Sequence, residues 1–229
     1  MPTSSTPNGE VSAVDRIAEE LRERIRRGQL VGGQRLIEAD WTRELQVSRG
    51  PVREAFGRLA AEGLVIVERK RGAVVRRLNT KDILDLYEAR AAIEGQAAAA
   101  AARCVGAADN RTRLEQVLHE HQRFLDGGEF SHYLGVNENF HRVILEIADN
   151  DILQRLGRQL HVMAYHLQTT RVSRATTPVP LLSVADSARF HCDITEAVLA
   201  GKSEQAERLM REHLMTTRDG ILEVDRRGE

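Results

Sequence analysis

The residues of this chain that could do chemistry are unevenly placed. All eight histidines lie beyond residue 118, whereas the arginines able to grip a polyanion crowd the first third. His191 and His213 flank the turn Gly201-Lys202, ten residues before Gly201 and eleven after Lys202. In an antiparallel helical hairpin both would stand ~15–16 Å from the turn, at one level and able to face each other. Asn137 and His141 are four apart and share a helical face. Three imidazoles and one oxygen donor from facing helices can hold one divalent transition ion per chain (Zn²⁺, Ni²⁺, Fe²⁺ or Mn²⁺), with positions open to water or a chelating ligand. The competing reading is a set of hydrogen-bonded core histidines, the commoner fate of a lone His on an apolar helix face. His119, His121, His132, His161 and His166 show no partner by spacing, and Cys104 and Cys192 read as small buried residues rather than redox sensors.

The second group is cationic. Arg49 and Arg53 are four apart, hence on one face at the start of a helix that Ser48 can cap. Arginine there can read guanine with two hydrogen bonds or clamp a phosphate, and the helix N-terminus itself attracts phosphate. Arg69-Lys70-Arg71-Gly72 forms a basic turn between two β-type runs, suited to a minor groove or a DNA backbone, and Gly72 allows close main-chain approach. A lone Arg-x3-Arg pair is usually a solvated face. Here a short helix precedes it and a basic hairpin follows, so the three features together point to double-stranded DNA.

These residues need elements to hold them. Val14, Ile17, Ala18, Leu21 and Ile25 recur at helical spacing, and Gly28 stops that helix. Leu36 and Ile37 lead into a short helix with Ala39, Trp41 and Leu45. The next helix buries Val52, Ala55, Phe56 and Leu59 and ends at Gly63. Leu64–Val67 and Ala73–Val75 then make a hairpin. Beyond Asn79 strand signals vanish. Thr80 is placed to cap a helix running to about Arg103, whose Ala97–Ala102 run permits close helix approach. Further amphipathic stretches cover roughly 111–126, 129–148, 151–172, 184–200 and 203–225, separated by Gly127-Gly128, Asp149-Asn150, Thr177 to Pro180, and Gly201-Lys202. The expected fold is mainly α: a winged helix-turn-helix of three helices plus a β-hairpin over 11–77, then an all-α antiparallel bundle over 78–229, with a disordered tail over 1–10.

Residues 11–77 resemble the winged-helix domain of the GntR family of bacterial transcription regulators. The resemblance is carried by Gly33-Gln34-Arg35-Leu36, Glu38, Leu45, Val47-Ser48-Arg49, Pro51-Val52-Arg53-Glu54-Ala55, Leu59, Glu62-Gly63-Leu64 and Arg71-Gly72-Ala73-Val75. It implies that Arg35, Arg49, Arg53 and the wing at Gly72 touch operator DNA, with Ser48 opening the recognition helix. Three residues depart from the family pattern: Gln46 in place of a turn glycine, Gly50 in place of a hydroxyl residue, and Gly57 inside the helix. Residues 80–225 resemble the all-helical FCD ligand-binding domain of the FadR-type subgroup, on Leu86-Tyr87-Glu88-Ala89-Arg90 with Glu94, Asn137-x2-Phe140-His141, Asn150, His191, and Gly201 through His213. Six helices fit its smaller, vanillate-regulator-like variant. The resemblance implies a metal on Asn137, His141, His191 and His213 at the base of an effector pocket, where Asp is commoner than Asn at the first position. Arg90, with Glu94, would receive an effector carboxylate, and Tyr165 is a further pocket candidate. Arg90 has a plainer role available, an ion pair to Glu94 one turn on.

Composition narrows the function. The net charge of −1 hides an asymmetry: residues 1–78 carry 15 Lys+Arg against 11 Asp+Glu, and the remainder carries 18 against 23. A basic first third on an acidic remainder points to two domains with different partners. Aromatic residues are 4% of the chain, too few for a base-stacking platform on single strands. No apolar run is long enough to span a membrane, and the polar N-terminus lacks a signal-peptide core, so a cytoplasmic, reducing location is expected. The expected function is a homodimeric transcription regulator, a repressor by the family's commoner habit, whose operator binding responds to a small carboxylate metabolite beside the metal. A metalloenzyme fused to a DNA-binding module, or a ligand-independent architectural DNA binder, are the alternatives. Against the first, no general base stands beside the proposed ligands, and no His-Glu-x-x-His or Gly-x-Ser-x-Gly motif occurs.

Overall fold

The computed structural model describes residues 12–69, 71–172 and 183–228. The expectations for the tail over 1–10, for Lys70 and for the Thr177–Pro180 break fall outside those residues. The described chain divides into two compact units, residues 1–77 with 166–173, and residues 78–165 with 174–229.

The first unit begins with α1 (Ala13–Arg26), which Ser12 caps by accepting from the Asp15 N–H. Its buried stripe, Val14, Ile17, Ala18, Leu21 and Ile25, is the one the spacing predicts, and Gly28 follows at φ 70°. Next come β1 (Arg35–Leu36), α2 (Glu38–Glu44) and α3 (Arg49–Ala61). Arg22 joins α1 to the end of α3, donating from Nε and Nη2 to the two Glu62 oxygens at 2.9 and 2.7 Å. The wing is β2 (Val65–Glu68) and β3 (Gly72–Val75). It is not a lone hairpin. Arg35 and Leu36 pair antiparallel with Val74 and Ala73, giving a three-stranded sheet in the order β1-β3-β2. Two residues carry too little alternation to read as a strand, so only the pairing reveals β1.

Ser48 occupies the N-cap of α3, but its side chain makes no capping hydrogen bond. Gln46, in the turn before α3, sits at φ 54°. That left-handed conformation costs a non-glycine residue ~1 kcal/mol, which explains why a glycine is the usual occupant.

Among the described residues the second unit holds only helices: α4 (Thr80–Cys104), α5 (Asn110–Gln122), α6 (Phe130–Ile147), α7 (Asp151–Val172, of which the residues from His166 on belong to the first unit), α8 (Val184–Leu199) and α9 (Ser203–Gly228). The residue that caps α4 is Asn79, not Thr80. Its side chain accepts from Asp82 N at 2.9 Å while the Asp82 carboxylate accepts from Asn79 N at 3.0 Å, a reciprocal capping box. Thr80 is the first helical residue. α5 also ends earlier than expected, at Gln122, with residues 123–126 in turns. α4 packs against α6, α8 and α9, and α5 packs against α6 and α8. The Ala97–Ala102 run is buried, and a Cβ at Gly95 would meet Arg211 Cγ of α9 at 2.9 Å, so small residues on α4 set the approach of α9. Gly201, at φ 68°, turns α8 into α9. No helix among the described residues is long and apolar enough to cross a membrane.

Two glycines of the first unit should respond oppositely to alanine. A Cβ on Gly72 (φ 90°) would lie 2.2 Å from the Leu36 carbonyl oxygen, where β1 meets the wing. Gly72→Ala should therefore destabilise by at least ~2 kcal/mol. Gly57 lies inside α3 with nothing within 4 Å of an added Cβ, so Gly57→Ala should stabilise by ~0.5–1 kcal/mol. Denaturant unfolding of both variants tests the assignment. Equal effects would contradict it.

Candidate nucleic-acid face and buried histidine centre

On the winged unit, α3 presents Arg49 and Arg53 to solvent while Val52, Ala55, Phe56 and Leu59 hold its other face in the core. Arg53 donates from Nε to Glu38 Oε2 at 2.7 Å, and Arg35 from Nη2 to Glu68 Oε2 at 3.0 Å. Each pair leaves the arginine at least half exposed, so its remaining donors face outward. Arg49 has no ion pair among the described residues. Ser48 and Arg71 are exposed, and Gly72 is buried beneath the wing tip. The tip closes with Arg71 N–H donating to the Glu68 carbonyl at 3.0 Å. Lys70 lies outside the described residues.

The helical unit draws three histidines together in its core. His141 on α6, His191 on α8 and His213 on α9 are all buried, and one ring nitrogen of each lies within 4.8 Å of the others. His191 Nε2 and His213 Nε2 are 3.0 Å apart across the α8–α9 hairpin, at the matched level that the turn spacing predicts. Burial and then the Arg90 charge hold His141 well below the ordinary imidazole value, and push His213 down to about 3. Burial, then the neighbouring His213, depress His191 likewise. All three rings are therefore uncharged near neutral pH, the form that binds metals. The centre fits a divalent ion. One ring nitrogen from each of the three residues lies near enough to the others for all three to be ligands of one ion. His213 Nδ1 is a buried atom without a hydrogen bond.

Asn137 stands one turn before His141 on α6 and is buried. Arg90 and Glu94 are buried too, joined Nε to Oε1 at 2.6 Å, with the guanidinium carbon 5.1 Å from the Tyr87 ring centre. Glu94 Oε2 lies 2.6 Å from His141 Nδ1, a close contact that is an ion pair only when the ring is protonated. Arg90, Glu94 and His141 thus form one buried chain, which ties the ion-pair role of Arg90 to the histidine centre. Tyr165 is buried on α7.

Sequence reasoning missed several neighbours. His121 of α5 is buried with its ring centre 4.7 Å from that of His191, and His161 of α7 lies 5.3 Å from His141. Phe140 stacks on His191 at 3.9 Å, and the Tyr133 hydroxyl lies 3.0 Å from His191 Nδ1. These residues come from helices whose relative rotation one-dimensional spacing does not fix. Cys192 is adjacent in sequence, but burial pushes its thiol up to about 11, so it offers no thiolate at neutral pH.

Residues 13–75 match the gntR family of bacterial regulatory proteins, and residues 85–216 match the FCD domain. The chain belongs to the GntR family, in the group that carries an FCD domain. It is 27% identical over 192 residues to the HTH-type transcriptional repressor RspR of Escherichia coli, covering 84% of this chain and 81% of that protein. It is 30% identical over 193 residues to a probable D-xylose utilization operon transcriptional repressor of Paenarthrobacter nicotinovorans, covering 83% and 80%. The fold matches E. coli McbR/YncC with a TM-score of 0.76 at 21% identity, over 96% of this chain and 100% of that one. A putative GntR regulator of Rhodococcus matches with a TM-score of 0.70 at 26% identity, over 93% and 99%. This GntR protein is a DNA-binding transcription regulator and not an enzyme.

The buried imidazoles fix a pH dependence. Their folded-state values lie below the unfolded value of ~6.5, so between those limits the folded chain binds fewer protons than the unfolded one. Ion-free protein should lose stability as pH falls below ~6.5, by up to ~1.4 kcal/mol per pH unit for each histidine that stays neutral. Denaturant midpoints at pH 7, 6 and 5 measure it. A flat series would mean that the histidines are accessible to protons in the folded state.

Proposed function

We propose that the chain is a homodimeric repressor that binds operator DNA through residues 11–77, and that residues 78–229 sense a small carboxylate beside one divalent transition ion per chain. The observation that carries the sensing half is the group of three buried, uncharged imidazoles with two ring nitrogens 3.0 Å apart. Zn²⁺, Ni²⁺, Fe²⁺ and Mn²⁺ all suit imidazole donors. His141, His191 and His213 would hold the ion, and Asn137 would offer a neutral oxygen. When bound, the ion supplies positions open to a chelating acid. Arg90 stands in the same buried chain as His141, with its charge balanced by Glu94, and would offer guanidinium N–H donors to the effector's carboxylate. Effector binding changes operator affinity only so far as the effector prefers one state of the protein. Repression is supported by the printed roles of the relatives.

On DNA, Arg49 and Arg53 would read base edges, Ser48 would present the recognition-helix N-terminus, and Arg35, Lys70, Arg71 and Gly72 would engage the backbone or a minor groove. A dimer supplies the second half-site, because one winged helix reads too few base pairs for genomic specificity. A reducing cytoplasm is the location that goes with operator binding.

Two measurements test the two halves separately. Arg49→Ala and Arg53→Ala should each cost ~1–3 kcal/mol of specific operator binding, whereas a Lys70 substitution should weaken all sequences alike and lower the salt slope. Full operator affinity in the double arginine variant would refute the placement of α3 on DNA. For the ion, elemental analysis should find one divalent metal per chain. Thermal melting should rise with added Zn²⁺, Ni²⁺ or Mn²⁺, by ~2.7 kcal/mol of stability at one hundred times the dissociation constant. His213→Ala should remove that increment, and Asn137→Asp should enlarge it by offering an anionic oxygen. A metal-free wild type whose melting ignores all three ions would eliminate the site.

A further inference from the structure

His191 differs from its two partners in having both ring nitrogens engaged. Nε2 faces His213 Nε2 at 3.0 Å, and Nδ1 lies 3.0 Å from the Tyr133 hydroxyl. Tyr133 in turn donates to Ser187 Oγ at 3.0 Å. Tyr133 is 2% exposed, Ser187 8% and His191 0%, so water is largely shut out of the relay. The ring plane is also clamped: Phe140 stacks on it at 3.9 Å and 16°, and His121 meets it edge to face at 4.7 Å.

The proton count along this relay has one solution that serves a metal. A phenol has a single proton to give. Spent on Ser187, it leaves Tyr133 only lone pairs toward His191, so His191 must carry its proton on Nδ1. Nε2 is then unprotonated, with its lone pair aimed at the space it shares with His213. Were Tyr133 to donate to Nδ1 instead, Nε2 would carry the proton and could not bind an ion. His213 has no such control from outside, since its Nδ1 makes no hydrogen bond.

We propose that Tyr133 is the positioning residue of the histidine centre: by accepting from His191 Nδ1 it fixes the Nδ1–H tautomer and presents the Nε2 lone pair to a divalent ion held with His141 and His213. Ser187 enforces this direction by accepting the phenol proton, although it is hydrogen-bonded to neither His191 nor His213. The inference rests on the metal reading above, but its tautomer claim can be measured without any ion.

The test uses the full-length protein with Ni²⁺ and Co²⁺ as probes, and NMR of ¹⁵N-histidine protein without metal. In the ion-free wild type, long-range ¹H–¹⁵N correlations should show His191 protonated on Nδ1. Tyr133→Phe keeps the ring and its packing and should mix the tautomers. It should also weaken Ni²⁺ binding ~10- to 100-fold, the usual effect of losing an outer-shell partner, and alter the Co²⁺ ligand-field spectrum. Ser187→Ala should also weaken Ni²⁺ binding, because it frees the phenol proton to turn toward Nδ1. A purely structural role for Tyr133 predicts a lower melting temperature with unchanged affinity and spectrum. Nε2–H on wild-type His191, or Ni²⁺ affinity within twofold of wild type in Tyr133→Phe, overturns the proposal while leaving the metal reading intact. Wild-type protein that binds neither ion removes the metal reading and this inference with it, whatever the tautomer.

Discussion

His191 and His213 meet nitrogen to nitrogen, 3.0 Å apart, between two helices that fold back on each other from the Gly201 turn. Two imidazolium ions could not do so in a dry core, because neither desolvation nor their mutual repulsion would be offset. The contact therefore requires at least one neutral ring, and burial in the packing around them keeps both uncharged near neutral pH. Phe140 and His121 cover His191, α4 closes over the centre, and the Arg90 charge lies close enough to disfavour a proton on His141 and His213. The same packing keeps all three rings uncharged near neutral pH. Arg90 itself is tolerable there because Glu94 is 2.6 Å away on the same helix. Removing either partner would leave a buried charge alone.

The winged unit obeys a different constraint. On the proposed reading its arginines stay charged and outward to meet DNA, yet free arginines on a small domain wander. Glu38 and Glu68 each take one edge of a guanidinium, Arg53 and Arg35 respectively, and leave the other donors to solvent. At the surface such pairs add little stability. What they do limit is the conformational freedom that a DNA contact would otherwise have to remove. β1 serves the wing similarly: pairing Leu36 with Ala73 anchors β3 on the side away from β2.

Much of this was legible in the sequence because periodicity reports local structure. Helical spacing predicts α1, α3 and the six bundle helices, and the counted distances from Gly201 place His191 opposite His213. What failed were features decided by partners distant in sequence. β1 is two residues long and exists only through Val74 and Ala73. Asn79 outcompeted Thr80 as the α4 cap because Asp82 lies three residues beyond Asn79 and completes the reciprocal bond. Ser48 holds the cap position of α3 that its residue type predicts, but without the capping hydrogen bond, which depends on its side-chain rotamer. His121, His161 and Tyr133 were passed over because helix rotation about its own axis is set by three-dimensional packing.

Charge balance joins the ion to the effector on the proposed reading. A divalent cation among three neutral imidazoles and a neutral Asn137 brings two positive charges into a core from which water is largely absent. The Glu94 carboxylate is nearby, but it already faces Arg90, so the pair contributes no net negative charge. With Asp in place of Asn137 the deficit would be halved. With Asn it stays whole, and an anion must supply what the protein does not. A small carboxylate bound at the open positions of the ion meets that need. The neutral Asn137 then makes ion and acid mutually dependent: each binds better in the presence of the other, and by linkage each raises the other's affinity by the same factor. The residue that departs from the commoner family pattern is, on this argument, the one that would make the centre respond to a metabolite and a metal together.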